Sequence, residues 1–184
     1  WTRDLHFQTR TTIDTLDYSG TGWNEGSKVV VACRGAKRRE LKAELPTDFS
    51  LPTGFSNPTF VQPGILAVQS KAFDNDAARK DIHQLTDYLK SFDLESVPLI
   101  IVCDDSQFLQ ETLNNFLWAT FTRSNPSHDI YGVDSFTEFK HWGCRGSLVI
   151  DARIKPHHAP VMTPGPEIVK RVGRLFAISG ELYG

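Results

Sequence analysis

The chain has 184 residues, 40% hydrophobic and 23% charged, enough to bury one sizeable core. A net charge of −2 leaves no basic footprint for nucleic acid, and no run of about 18 apolar residues offers a membrane span. Cys33, Cys103 and Cys144 are widely spaced with no CxxC pair, which argues against a disulfide framework and a structural zinc site and fits reduced thiols in a cytoplasmic protein.

Trp1 opens the chain without methionine or signal peptide, as a processed or excised piece of something longer would. Residues 1–26 are polar, threonine-rich and aperiodic, ending in SGTGWNEGS, and are expected to form an arm or connector ahead of one α/β domain over 27–184. KVVVAC (28–33) reads as a compact apolar strand. The charged run AKRRELKAE (36–44) answers its basic residues with Glu40 and Glu44, as a solvated helix or turn does. From 45 to 64, Pro46, Pro52, Pro58 and Pro63 with Gly54 and Gly64 exclude a long helix and predict an extended connection.

ILAVQ (65–69) is the second expected strand. Residues 74–92 are the first long helix, with Ala78, Ile82, Leu85, Leu89 and Phe92 on one face and Asp74 or Asn75 as cap. Leu99 to Val102 form a continuous apolar run, the mark of a strand buried on both faces, with Asp104 and Asp105 at its carboxyl end. Beyond them Leu109, Leu113, Phe116, Leu117 and Thr120 recur at helical spacing over 109–122, with Asp105 or Ser106 as N-cap, until Asn125-Pro126 stops the helix. Residues 130–146 read as a loop, 148–150 as a fourth strand ending in Asp151, and 164–182 as a last helix. In that helix Pro166 lies near the first turn, with Ile168, Val169, Val172, Leu175 and Phe176 toward the core. Strands alternating with helices imply a mostly parallel sheet in a three-layer α/β/α sandwich.

Few constellations carry chemistry. Asp104-Asp105 at a strand end has the ligands for Mg²⁺, and with Asp151 as phosphoacceptor and Lys155 beyond it would complete a receiver-like site; helix capping is the simpler use of these aspartates. His157 and His158 are adjacent on one segment, so they point to opposite sides and do not share a metal. No cysteine sits in a glycine-flanked elbow, and phosphate-cradling glycine motifs are missing. Arg123 and Asp129, in TRSNPSHD, are placed to pair across the Asn125-Pro126 turn and to fix the direction of the following loop.

LIIVCDDSQFLQETLNNFLWATFTRSNPSHDI resembles the carboxyl-terminal domain of UbiD-type decarboxylases in its acidic turn after an apolar strand, its LWA helix and its TRxxPxxD close. GSLVIDARIKPHHAP and ILAVQSKAFDNDAARKDIHQL continue the likeness, which covers residues 65–184 and, less firmly, 26–64.

The resemblance implies a non-oxidative carboxy-lyase acting on aromatic or α,β-unsaturated acids such as ubiquinone or menaquinone precursors. It implies prenylated FMN with a divalent metal, Mn or Mg, and K. In that family the flavin sits on an amino-terminal split β-barrel that also supplies the acid/base residues. No part of this chain has that barrel's strand pattern, so no catalytic or metal-binding residue is expected here and the chain alone is expected to bind no cofactor. The expected partners are its own amino-terminal flavin-binding domain and further copies of itself. By the same resemblance, Lys71 or its neighbour Ser70 faces the cofactor phosphate, and Phe136, Thr137 and Glu138 wall the substrate pocket. Two other readings stand beside this one: a stand-alone assembly or binding subunit without chemistry, and a phosphoacceptor receiver-like domain.

Overall fold

The computed structural model describes residues 4–11, 26–158 and 164–183, in a mixed α/β arrangement. Its centre is a five-stranded sheet of β3 (Phe55–Gln62), β4 (Ile65–Ser70), β5 (Leu99–Cys103), β9 (Leu148–Asp151) and β6 (Ile130–Gly132), in that spatial order. β4, β5 and β9 are parallel; β3 and β6 flank them antiparallel. Successive side chains of a strand point to opposite faces, and the burial follows that rule. Leu66, Val68, Ile100, Val102 and Val149 pack with Ile82, Leu85 and Leu89 of α1 (Ala78–Leu89). Ala67, Ile101, Cys103 and Ile150 pack instead with Leu109 of α2 (Ser106–Glu111) and with Phe116 and Ala119 of α3 (Leu113–Arg123). Each face of the parallel core thus has its own helical cover.

Several expectations are corrected. The arm contains a strand, β1 (Leu5–Thr11), which pairs antiparallel with β2 (Gly26–Val31) in a separate ribbon seated on Trp142 and Leu148. Within the proline-rich connection lies β3; Pro58 is tolerated there because β3 is an edge strand, where a missing N–H breaks no ladder. The first long helix ends at Leu89 rather than residue 92, and Asp74 accepts from the Asp76 amide one turn ahead of it instead of capping it. The helix expected over 109–122 is two. Asp105 caps α2 through the amides of Gln107 and Phe108, and extended Thr112 then breaks the run and caps α3 through Asn115. Here side-chain capping outweighed helical periodicity.

Residues 130–146 are not a loop. α4 (Pro126–Asp129) leads into them, and they hold β6 and then the hairpin of β7 (Ser135–Glu138) and β8 (His141–Cys144). The last helix is shorter than expected, α5 (Pro166–Leu175), and buries none of its residues: Ile168, Val169, Val172 and Phe176 face outward.

Candidate functional site

Open α/β folds place ligands beyond the carboxyl ends of parallel strands. Here that end holds a network of alternating charges. β9 runs into an extended segment, so Asp151 and Arg153, two residues apart, lie on one side of the chain. Arg153 is completely buried and grips Asp151 with a two-pronged contact, Nε to Oδ1 at 2.9 Å and Nη2 to Oδ2 at 2.6 Å. The short distances are those of charge-assisted bonds. Burial works against the Arg153 charge, but its hydrogen bond to Asp151 and the charges of Asp151, Asp81 and Asp104 outweigh it and raise its pKa.

The network spreads from this pair. Asp81 in the first turn of α1 stands 3.7 Å from Arg153 Nη1 and 3.1 Å from Lys71 Nζ. Asp104 accepts from the Ile154 amide at 2.8 Å and from Arg123 Nη1 at 3.4 Å. Lys155 donates to the carbonyls of Arg123, Asp151 and Arg153 at 2.7, 3.0 and 3.3 Å, and faces Asp129 at 3.3 Å. The Phe73 ring lies against both cations, 5.3 Å from Arg153 and 5.3 Å from Lys155. Four cations, Lys71, Arg123, Arg153 and Lys155, therefore meet four carboxylates, Asp81, Asp104, Asp129 and Asp151. Burial pushes Asp129 above the ordinary carboxylate value, although Lys155 and the Asn125 amide pull it down.

Three buried polar side-chain atoms at this end of the sheet have no hydrogen-bond partner among the described residues: Ser70 Oγ, Asp81 Oδ2 and Arg153 Nη1. The last two face each other just beyond bonding distance. Among the described residues no group of three or more His, Cys, Asp or Glu is placed to hold a metal ion.

The expected site residues divide between two ends of the sheet. Ser70, buried at the carboxyl end of β4, makes no side-chain hydrogen bond among the described residues, whereas Lys71, Arg123 and Asp129 all belong to this network. Phe136, Thr137 and Glu138 do not: they lie on β7, and the β7–β8 hairpin leaves from the amino-terminal end of β9. There Phe136 stacks against Arg145 at 4.5 Å and Glu138 pairs with the same guanidinium at 3.2 Å. A cavity of about 410 Å³ opens beside Arg145, lined also by Lys90, Phe92, Leu94 and Val133. The direct pair of Arg123 with Asp129 is not formed, because Asp104 takes the guanidinium and Lys155 the carboxylate.

Arg153 and Asp81 do not stand out in the sequence. The signals are nonetheless present: the i, i+2 spacing of DAR at a strand end, and Asp81 standing three residues after Ala78 and beside Ile82 on the apolar face of α1.

A family model described as "3-octaprenyl-4-hydroxybenzoate carboxy-lyase C-terminal domain" matches residues 1–33, upstream of the stretch 65–184 that carries most of the resemblance. An uncharacterized protein of Chlamydia trachomatis is 32% identical over 84% of this chain and 25% of its own length. A protein of Chlamydia pneumoniae, named as one of the subunits of 4-hydroxybenzoate decarboxylase, is 28% identical over 92% of this chain and 27% of its own. The chain thus spans about a quarter of the length of these relatives. An evolved dimeric form of the UbiD-class enzyme HmfF from Pelotomaculum thermopropionicum, solved in complex with prFMN, is 18% identical over 62% of this chain and 24% of that one. Its TM-score of 0.39 marks an overlap too partial to assign a fold.

Proposed function

We propose that this chain, a UbiD-type carboxyl-terminal domain, is the assembly-forming and site-closing part of a longer non-oxidative decarboxylase of aromatic or α,β-unsaturated acids. The observation that carries the reading is the self-neutralised network at the carboxyl end of the sheet. A catalytic acid or base must be able to reach a substrate and change its protonation. Asp151 and Arg153 are buried and bonded to each other, and Lys155 is committed to three carbonyls, so these groups hold β9, α1 and α3 in register instead. The chemistry then belongs to the remainder of the longer protein.

Prenylated FMN, with Mn or Mg and K, is part of the proposal for that whole protein only. Prenylated FMN supplies an electron sink for loss of CO2 when bound. The residues present here do not fit its phosphate: the Lys71 ammonium is already 3.1 Å from Asp81, and an approaching dianion would meet that carboxylate. A three-layer stacking of the complete domain, a place in quinone-precursor metabolism, a cytoplasmic location and homo-oligomerisation belong to the same proposal. Among the described residues no helix is long and apolar enough to cross a membrane.

The receiver-like alternative loses its support. A phosphoacceptor needs an accessible carboxylate oxygen, whereas Asp151 is 1% exposed and both its oxygens are taken by Arg153. The test of the assembly reading is truncation of the full-length protein before residue 27. The flavin absorbance band should be retained while light scattering shows a smaller particle. Loss of the flavin with unchanged particle size would contradict it.

A further inference from the structure

The cavity of about 410 Å³ at the amino-terminal end of the parallel strands has the size of a small-molecule site and is used by nothing described above. Its back is apolar: Leu89 at the end of α1, Leu94 and Val133 are buried, and Phe92 is packed against the same core. Its opening carries three charged side chains, Lys90, Asp134 and Arg145, so the lining has one cation in excess. The Arg145 guanidinium is set in place by the Phe136 ring at 4.5 Å and by Glu138 at 3.2 Å. Its Nη1 stands 3.5 Å from Asp134, at the limit of a hydrogen bond, so that edge is weakly held. Lys90 Nζ donates to Asp87 at 2.7 Å, and that pair lies in water. Exposed pairs of this kind are worth little and exchange readily.

We propose that this cavity binds a small monocarboxylate with an apolar body, the carboxylate between Lys90 and Arg145 and the body against Leu89, Leu94 and Val133. The charge-assisted bonds orient the ligand and the apolar back supplies the burial. A cation meets two like charges at the opening. A dicarboxylate has to lay its second charge on the apolar back, where nothing solvates it. An uncharged apolar molecule leaves both cations with their exposed partners and loses the orienting bonds. Where the longer protein consumes such an acid, the site tells substrate from product, because loss of CO2 removes the group that the two cations hold. That consequence rests on the reading above; the binding itself does not.

Titration of the 184-residue chain with benzoate, followed by amide proton–nitrogen spectra, tests the site without any turnover. Saturable shifts should centre on the amides of Leu89, Val133 and Gly146. Phenol, which keeps the ring and loses the charge, should bind at least about tenfold more weakly. Lys90→Met should weaken benzoate by about threefold. Asp134→Asn removes the carboxylate of the opening and should tighten benzoate by about threefold. Asparagine suits the left-handed backbone at position 134, where φ is 50°, so that variant keeps the fold and decides the matter if Lys90→Met loses its dispersed spectrum. Equal affinity for benzoate and phenol, shifts centred on Lys71 and Arg153, or affinity unmoved by Asp134→Asn would each overturn the proposal. A full-length protein that releases no CO2, beside a chain that still binds benzoate in this pattern, would remove the decarboxylase reading and support the site.

Discussion

Arg123 and Asp129 are joined through a third residue: Lys155 Nζ donates to the Arg123 carbonyl at 2.7 Å and stands 3.3 Å from the Asp129 carboxylate. One ammonium therefore ties the end of α3 to the end of α4 and both to β9. Replacing Lys155 by Met keeps the volume and removes the tie, leaving Asp129 buried without a cation. The expected cost is about 3 kcal/mol. Adding Asp129→Asn should recover part of it, and a urea-melt cycle should show at least ~1 kcal/mol of coupling between the two positions. Strict additivity would remove Lys155 as the link.

Arg153 provides a sharper case, because its fork and not its charge alone holds Asp151. Arg153→Lys keeps the charge and loses the two-pronged geometry, so it should cost nearly as much as Arg153→Met, about 3 to 5 kcal/mol in either variant. Thermal melts in which Arg153→Lys matches the parent protein would show that charge alone suffices.

Asp129 gives a pH dependence whose sign is the reverse of an ordinary paired carboxylate. Burial raises its pKa above 3.8, so between that value and the folded one the native state holds more proton than the unfolded state. Its contribution is complete at acid pH, falls as pH rises through the folded pKa, and is level above it. The stability difference between the parent and Asp129→Asn should therefore move in favour of the variant as pH rises through that window. Urea melts across the acid range check this, and a movement toward the parent would contradict the burial of Asp129.

The thiols make a prediction of accessibility. Burial, with the nearby Asp104 charge, pushes Cys103 up to about 12, and burial pushes Cys144 up to about 11. Since the thiolate is the reactive form, both should resist iodoacetamide at neutral pH while exposed Cys33 reacts. Mass spectrometry should find one adduct on the native chain and three in urea. Rapid labelling of Cys103 would mean that β5 is not closed by α2 and α3.

The parallel core was legible because its signals are local: ILAVQ, LIIVC and LVID are short, β-rich and apolar up to their last residue, and the stripe of α1 recurs at helical spacing. Edges and ribbons were not. β3 carries Pro58 and polar residues because one of its sides pairs with nothing, and β1 depends on Gly26 to Val31 for its pairing, so neither shows a pattern of its own. The break at Thr112 was hidden because apolar spacing continues across it. For the site, Asp104 and Asp151 stand out by charge at strand ends and Lys155 just beyond, yet their partners are set by three-dimensional packing: Arg123 pairs with Asp104, while Lys155, from the segment after β9, pairs with Asp129. On α5 the amphipathic stripe was visible, but periodicity does not say what a face packs against.

If this chain builds and closes a decarboxylase without performing its chemistry, CO2 release from 4-hydroxybenzoate-type acids must depend on the rest of the longer protein. The 184-residue chain and the full-length protein would be assayed at equal molar concentration, each supplied with prenylated FMN, Mn and K. Turnover by the full-length protein, with none from the chain above the protein-free control, is the expected result. CO2 release by the chain alone would contradict it.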